Sequence, residues 1–437
     1  MSDDLRVLIA TEHASANFGG EAVLPLHYFR ILQKRGIPVW LVTHSRTRDE
    51  LSRLFPGSDR VVYIEDTALH RVLWRVGKIL PDRVAGFTTG FVSRLSTQLS
   101  QRRVVRRLVR EHGISVVHQP MPVSPREPSM LFGFGVPVVI GPMNGGMDYP
   151  PGFRGNIGWL ERTFIRLGRA SSGVMNRLMP GKRRAAALLV ANQRTRDALP
   201  ASVSSHVFEL VENGVDLSLW RAPETQAARE EKAVTFAFMG RLVDWKAVDL
   251  LLHAFDKARR QANMRLWILG DGPERPRLES LAADLSLPAP GTGESGSVHF
   301  AGWLNQAACA VRLREADCLV LPSLLECGGA VVLEAMSMGK PVIATAWGGP
   351  LDYLDPTCGV LVPPDSREDH IEGFAKAMVE MARDPLTRER MGERGLAKVH
   401  AEYDWELKVD CILSLYRDAI LRSRPAPRAD SSGQAQE

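Results

Sequence analysis

The chain has no stretch of about 18 uninterrupted apolar residues, so a membrane-spanning helix is not expected. Its five cysteines, Cys309, Cys318, Cys327, Cys358 and Cys411, are too sparse for a secreted disulfide scaffold and lack paired metal-ligand spacing. No Asp-x-Asp motif occurs and no His or Cys cluster has ligand spacing, so no metal is expected. No Gly-x-Gly-x-x-Gly follows the first apolar run, which argues against a nicotinamide; no cofactor is expected. The start Met1-Ser-Asp-Asp4 carries no signal-peptide pattern, and with unpaired thiols the expected compartment is a reducing cytoplasm.

What is present is a chain of 437 residues, 45% hydrophobic, enough for two or three domains with real cores. Residues 5–10 form an apolar run, Phe18-Gly-Gly-Glu21 a glycine loop, 22–34 an amphipathic stretch and 38–43 a second apolar run. Strand, loop, helix, strand is the parallel α/β unit, whose ligands gather at the carboxyl ends of the strands. Further strands are predicted at 115–118, 136–141, 187–191 and 206–211, and a second series at 234–239, 265–270, 298–300, 318–321, 341–345 and 359–362. Charge and a proline mark residues 221–232 as a linker. The fold class is α/β, with Rossmann-like doubly wound domains at 1–220 and 221–404, a helix at 405–421 and a disordered tail at 422–437.

The chemistry is most legible in Ser323-Leu-Leu-Glu-Cys-Gly-Gly-Ala-Val-Val-Leu-Glu-Ala-Met336, which sets Glu326 and Glu334 eight positions apart. Gly328 and Gly329 suit a tight loop, and the apolar run after them reads as a helix starting near Gly329. A helix N-terminus offers unpaired N–H groups to a diphosphate. Glu334 lies about 7.5 Å farther along the axis, roughly the step from a phosphate to a ribose, whose diol could satisfy a carboxylate set among apolar neighbours. A helix carrying one solvated glutamate is the plainer alternative.

Glu-x7-Glu followed by Met338-Gly-Lys-Pro-Val-Ile-Ala-Thr345 and Gly348-Gly-Pro350 resembles the donor-site signature of the family 4 glycosyltransferases. The chain departs from it at Cys327-Gly-Gly329, where many members have Gly-Phe-Gly, and at Ala247, where glycine is usual. The resemblance implies the GT-B architecture, two Rossmann-like domains facing a central cleft, with the 405–421 helix returning to the first domain. It implies a retaining, metal-independent transfer of a hexose from a nucleotide-diphosphate sugar, with Arg241 and Lys246 on the diphosphate and Glu326 on the sugar hydroxyls. It places Gly240, Gly270 and Trp303 in loops around the donor, with the backbone near Trp303 at the base, and brings the Gly19-Gly20 loop toward donor phosphate and acceptor. His118 and Asn144 follow strands of the first domain and could face the acceptor. For His118 a structural role is equally open, and Asn144 could only orient, since an amide accepts no proton. A nucleotide-sugar epimerase of the same architecture and a non-catalytic sugar-nucleotide-binding scaffold remain as alternatives.

Charge is uneven. Residues 67–110 hold ten Lys and Arg against the single acid Asp82, interleaved with Trp74, Phe87 and Phe91, and residues 153–184 repeat the theme. Such segments suit anionic headgroups; nucleic acid and an ordinary solvated helix face compete. The expected partners are a nucleotide-sugar donor, a lipid-linked or polysaccharide acceptor and an anionic membrane surface, with no nucleic acid, in envelope or exopolysaccharide assembly.

Overall fold

The computed structural model describes residues 5–18, 20–79, 86–156, 168, 171–201, 203–222, 233–289 and 295–423. The chain divides into two compact units, one of residues 1–144, 166–212 and 409–437, the other of residues 145–165 and 213–408. The 223–232 part of the expected linker and the tail from 424 lie outside the described residues, as does most of the basic stretch 157–170.

The first unit contains β1 (Val7–Ala10), β2 (Val39–His44), β3 (Val61–Ile64), β4 (Val116–Gln119), β5 (Val138–Met143), β6 (Ala187–Val190) and β7 (Val207–Glu209), in spatial order β3-β2-β1-β4-β5-β6-β7. Its helices include α1 (Gly20–Lys34), α2 (Arg48–Leu54), α3 (Ala68–Gly77), α4 (Phe91–His112) and α5 (Gln193–Asp197). The second contains β8 (Val234–Met239), β9 (Met264–Leu269), β10 (Val298–Gly302), β11 (Cys318–Leu321), β12 (Val342–Thr345) and β13 (Gly359–Val362), in order β10-β9-β8-β11-β12-β13. Its helices include α6 (Val248–Ala258), α7 (Arg275–Asp284), α8 (Gln306–Glu315), α9 (Ala330–Ser337), α10 (Pro350–Tyr353), α11 (Arg367–Arg383) and α12 (Pro385–Glu402). The last helix, α13 (Trp405–Ser423), groups with the first unit from Val409 onward.

Both sheets are parallel and start near their centres, winding outward in each direction, which is the doubly wound order. Central strands are covered on both faces, so they read as continuous apolar runs: β1, β8 and β11 are buried at every residue. The strand β3 was not anticipated. It is a short edge strand, Val61-Val-Tyr-Ile64, with Val62 and Tyr63 half-buried, and its apolar run is only four residues long.

Residues 145–156 and 213–220 belong to the second unit, unlike the boundary at 220 drawn from sequence. Packing explains the difference. Tyr149 and Phe153 join a cluster with Ala247, Leu250 and Leu324, and Val215 exchanges backbone bonds with Tyr403 and Trp405. Ala247 is left-handed (φ 51°), which costs a residue with a Cβ about 1–2 kcal/mol; burial of its methyl in that cluster offsets about 0.8 kcal/mol. That offsets part of the strain of an alanine at a glycine-favouring position.

Helix α4 buries Gln101, Val105, Leu108 and Val109 and turns Arg103, Arg106, Arg107 and Arg110 outward, so its basic run is an ordinary outer face. Among the described residues no helix is long and apolar enough to cross a membrane.

In the core of the first unit, His118 of β4 lies fully buried between Tyr28 and Tyr416, with edge-on ring contacts at 5.0 and 5.5 Å. Its Nε2 is 2.6 Å from Gly141 O, which can only accept, so Nε2 carries the proton and Nδ1 accepts from the Tyr416 hydroxyl at 2.7 Å. Burial pushes its pKa down to about 4. Tyr416→Phe strips Nδ1 of its donor, and chemical denaturation should show a loss of about 1–3 kcal/mol; an unchanged midpoint would mean that this bond contributes nothing.

Candidate active site

The carboxyl edge of the second sheet is tied together by glycines. After β8, Gly240 N donates to Leu269 O at 3.0 Å, and a Cβ on Gly270 would collide with Gly240 O. A Cβ on Gly272 would collide with Leu242 O in the same way, and Gly270 bridges to Gly302 at the end of β10. Bare backbones therefore let three loops converge where a doubly wound fold holds ligands. Arg241 is exposed beside this junction, and its side chain makes no ion pair or hydrogen bond with the described residues. Trp303, just past Gly302, is 65% exposed.

Between β11 and α9 the loop 322–329 is stapled to the loop after β8 by Leu324 N donating to Trp245 O at 2.9 Å. This brings Lys246 Nζ onto Glu326 Oε2 in a close charge-assisted hydrogen bond, with 15% and 13% of the two side chains exposed. The Lys246 stem passes over Gly240, its Cε 3.9 Å from the place a Cβ there would take. Gly329 adopts φ 69° and caps α9, a conformation in which a Cβ would press on Glu326 Cγ at 3.1 Å. The N–H groups of Gly328 and Gly329 donate to no acceptor among the described residues. At the other side of the loop, Gly349 N donates to Glu326 O at 2.6 Å, and side chains on Gly348 or Gly349 would collide with the 326–328 backbone. Lys246, Glu326, Gly328 and Gly329 are thus brought together.

Glu334, about one turn into the eight-residue α9, is half-buried, and its carboxylate makes no hydrogen bond or ion pair with the described residues. Burial pushes its pKa up to about 8. It is not the solvated outer-face glutamate of the plainer alternative. Burial, reinforced by the Glu334 charge, lifts the Cys309 thiol of α8 to about 11. Among the described residues no three His, Cys, Asp or Glu side chains are grouped to hold a metal ion.

Sequence reasoning missed the segment 145–156 at this site. Met147 lies against Gly348, and Trp347 Nε1 donates to Asp148 O at 2.8 Å, so this segment packs against the loop that holds Glu326. Its partners lie some 200 positions away, and nothing in Gly145-Gly-Met147 announces them.

Two first-unit assignments are corrected. His118 has both ring nitrogens engaged inside the core and faces no acceptor. Asn144 is buried too: Nδ2 donates to Glu212 at 2.6 Å, and Oδ1 accepts from Arg194 and Thr195 at 3.3 Å. That is a structural network. Gly19 lies outside the described residues; Gly20 opens α1, where a Cβ would meet nothing within 4 Å. The groups overlooked at this sheet's carboxyl edge are Glu12 and His13, just after β1. Burial raises the Glu12 carboxyl against the opposing pull of Arg94 and Arg46, and lowers His13 to about 4. Near neutral pH His13 is therefore uncharged. Their one sequence signal was position, two and three residues past a strand end.

Residues 222–398 match the glycosyl transferases group 1 family. They form a group 1 glycosyltransferase domain. Among curated relatives, the D-inositol 3-phosphate glycosyltransferase of Kribbella flavida is 35% identical over 234 residues, 51% of this chain and 52% of that protein. The lipopolysaccharide core biosynthesis glycosyltransferase LpsE of Rhizobium meliloti is 35% identical over 178 residues, 40% and 48% of the two chains. The chain spans about half the length of the curated relatives it matches. In fold it is similar over 96% of its length to the whole of sucrose-phosphate synthase from Thermosynechococcus elongatus (TM-score 0.65, 18% identity). It is similar over 94% of its length to 99% of Anabaena HepE, solved with UDP-glucose (TM-score 0.62, 14% identity). These neighbours are of the GT-B class, and two Rossmann-like parallel-sheet domains make the present chain GT-B as well.

The raised pKa of Glu334 in the group 1 domain has a measurable consequence. A carboxyl with a pKa of about 8 when folded, against 4.5 ordinarily, binds its proton more tightly in the folded state, so stability is lost as pH rises through that window. Melting curves of wild type against Glu334→Gln should diverge between about pH 5 and pH 8, wild type losing the more. Parallel curves would place the carboxylate in free solvent.

Proposed function

We propose that the protein is a family 4, retaining glycosyltransferase that moves a hexose from a nucleotide-diphosphate sugar to a hydroxyl of a lipid-linked or polysaccharide acceptor, in the cytoplasm. The observation that carries this reading is the Lys246–Glu326 pair set at the capped N-terminus of α9, with Glu334 farther along the same helix. A diphosphate resting on Gly328 and Gly329 meets unpaired N–H groups and the positive end of the helix. Lys246 and Arg241 add two cations from the loop after β8, so departure of the nucleotide is stabilised by protein charge without a metal ion. As phosphate takes over Lys246, Glu326 is released to accept from the donor sugar's hydroxyls. Glu334 accepts from the ribose, which supplies the donors its carboxylate lacks. Leaving-group oxygen helps take the acceptor's proton on the same face of the sugar, which retains its anomeric configuration.

The acceptor class draws support from relatives whose names specify lipid substrates, among them LpsE and a GDP-mannose-dependent phosphatidylinositol monomannoside mannosyltransferase of Corynebacterium glutamicum, 28% identical over 255 residues. The donor class draws support from the UDP and UDP-glucose complexes of HepE.

Labelled UDP-, GDP- and ADP-sugars incubated with the protein and a bacterial lipid extract should place label in an extractable glycolipid with one of them. Glu326→Ala should slow transfer by about 10²–10³ and leave nucleotide affinity within about threefold. Lys246→Ala should weaken nucleotide binding by about tenfold or more, measured by titration calorimetry. Label recovered only as free sugar, or Lys246→Ala binding nucleotide like wild type, would overturn the reading.

A further inference from the structure

Helix α3 is built inside out. Its buried residue is His70, whose Nδ1 accepts from Thr67 N at 3.0 Å while Nε2 lies 3.2 Å from Ser93 O and 3.0 Å from Thr97 Oγ1 of α4. Leu73 and Gly77 are half-buried on the same side. The opposite side exposes Leu69 (47%), Val72 (53%), Val76 (45%) and Ile79 (85%). Their spacing, i, i+3, i+7 and i+10, lays them in one stripe, and the bonds Lys78 N to Trp74 O and Ile79 N to Val76 O carry the turn past Gly77. A soluble helix normally buries such a stripe and exposes its histidine.

Beside the stripe runs a row of cations, Arg71, Arg75 and Lys78, at i, i+4 and i+7. No acid occurs between residues 67 and 79. The side chains of Arg71 and Arg75 have no ion pair or hydrogen bond among the described residues, and Lys78 Nζ sits 3.8 Å over the ring of Trp74, itself 62% exposed. Helix α4 next to it shows the contrast, since its cations crown a helix whose apolar residues are all turned inward or half-buried in its second half. An apolar stripe edged by cations, one of them seated on an exposed indole, complements a surface that is greasy below and anionic above.

We propose that α3 is a docking helix that lies in the plane of an anionic lipid surface, its Leu69–Ile79 stripe at the acyl boundary and Arg71, Arg75 and Lys78 on headgroup phosphates. The assignment deepens the lipid-linked reading of the acceptor. Its test contains no sugar nucleotide, so its failure leaves the transfer reading standing, and failure of transfer leaves this one standing.

Full-length protein is floated with vesicles of phosphatidylcholine alone and of phosphatidylcholine containing about one third phosphatidylglycerol. Wild type should float with the anionic vesicles, less so at high salt. Each cation near such a surface is worth roughly fivefold in partitioning, so Arg71→Gln with Arg75→Gln should weaken flotation at least tenfold. Val72→Ser with Val76→Ser should do the same, and because all four positions are exposed the variants should melt like wild type. No flotation of wild type, or flotation of both double variants like wild type, overturns the proposal. So does vesicle-free sedimentation showing a dimer that Val72→Ser with Val76→Ser dissolves, since a second copy would then be what covers the stripe.

Discussion

A lysine and a glutamate that are both mostly withdrawn from water face each other across two loops of the second unit, and the local architecture follows from keeping them there. Neither charge is tolerable alone at that depth, so each loop has to deliver its residue to the same place. The loop after β8 does so by turning through a left-handed Ala247, and the loop after β11 by turning through a left-handed Gly329. Glycines 348 and 349 give the second loop its floor, and Gly270 and Gly272 let the neighbouring strand ends close in. Backbone tolerance and charge placement are here one constraint.

The sequence made the second sheet and its ligand edge legible because both rest on local signals. Buried parallel strands read as apolar runs, and a capping glycine before an apolar run marks a helix start, so α9 and the Glu326–Glu334 spacing could be drawn without coordinates. What failed was the fate of polar residues that follow strands. His118 and Asn144 stand where ligand-facing groups are found, and composition cannot tell a ring turned toward solvent from one whose two nitrogens are spoken for by residues 23 and 298 positions away. The same limit hid residues 145–156, whose contacts with Trp347 and Asp365 depend on tertiary closure. The basic run 67–110 split in two for a related reason: charge counts were equal in kind, but only burial separates α4, with its apolar side inward, from α3, with its apolar side out.

Titration follows the same logic of enclosure. His118, His13 and His370 are all pushed to about 4, so these histidines are uncharged near neutral pH. Glu334 is pushed the other way and has no internal donor, which leaves it the one strongly perturbed acid on α9 among the described residues.

The division of the chain has an effect on how it is made. The first unit is not contiguous: it uses residues up to 144, a middle portion, and the end of α13. Tyr28 and His118 emerge from the ribosome early, yet the hydroxyl that completes their cluster belongs to Tyr416. The nascent first sheet therefore waits with an unfinished apolar face while every strand of the second is synthesised, and at translation rates of about 5–20 residues per second that interval lasts on the order of fifteen seconds to a minute. The later-made half has all its strands, β8 to β13, in one unbroken run and can close first, so the order of completion reverses the order of synthesis.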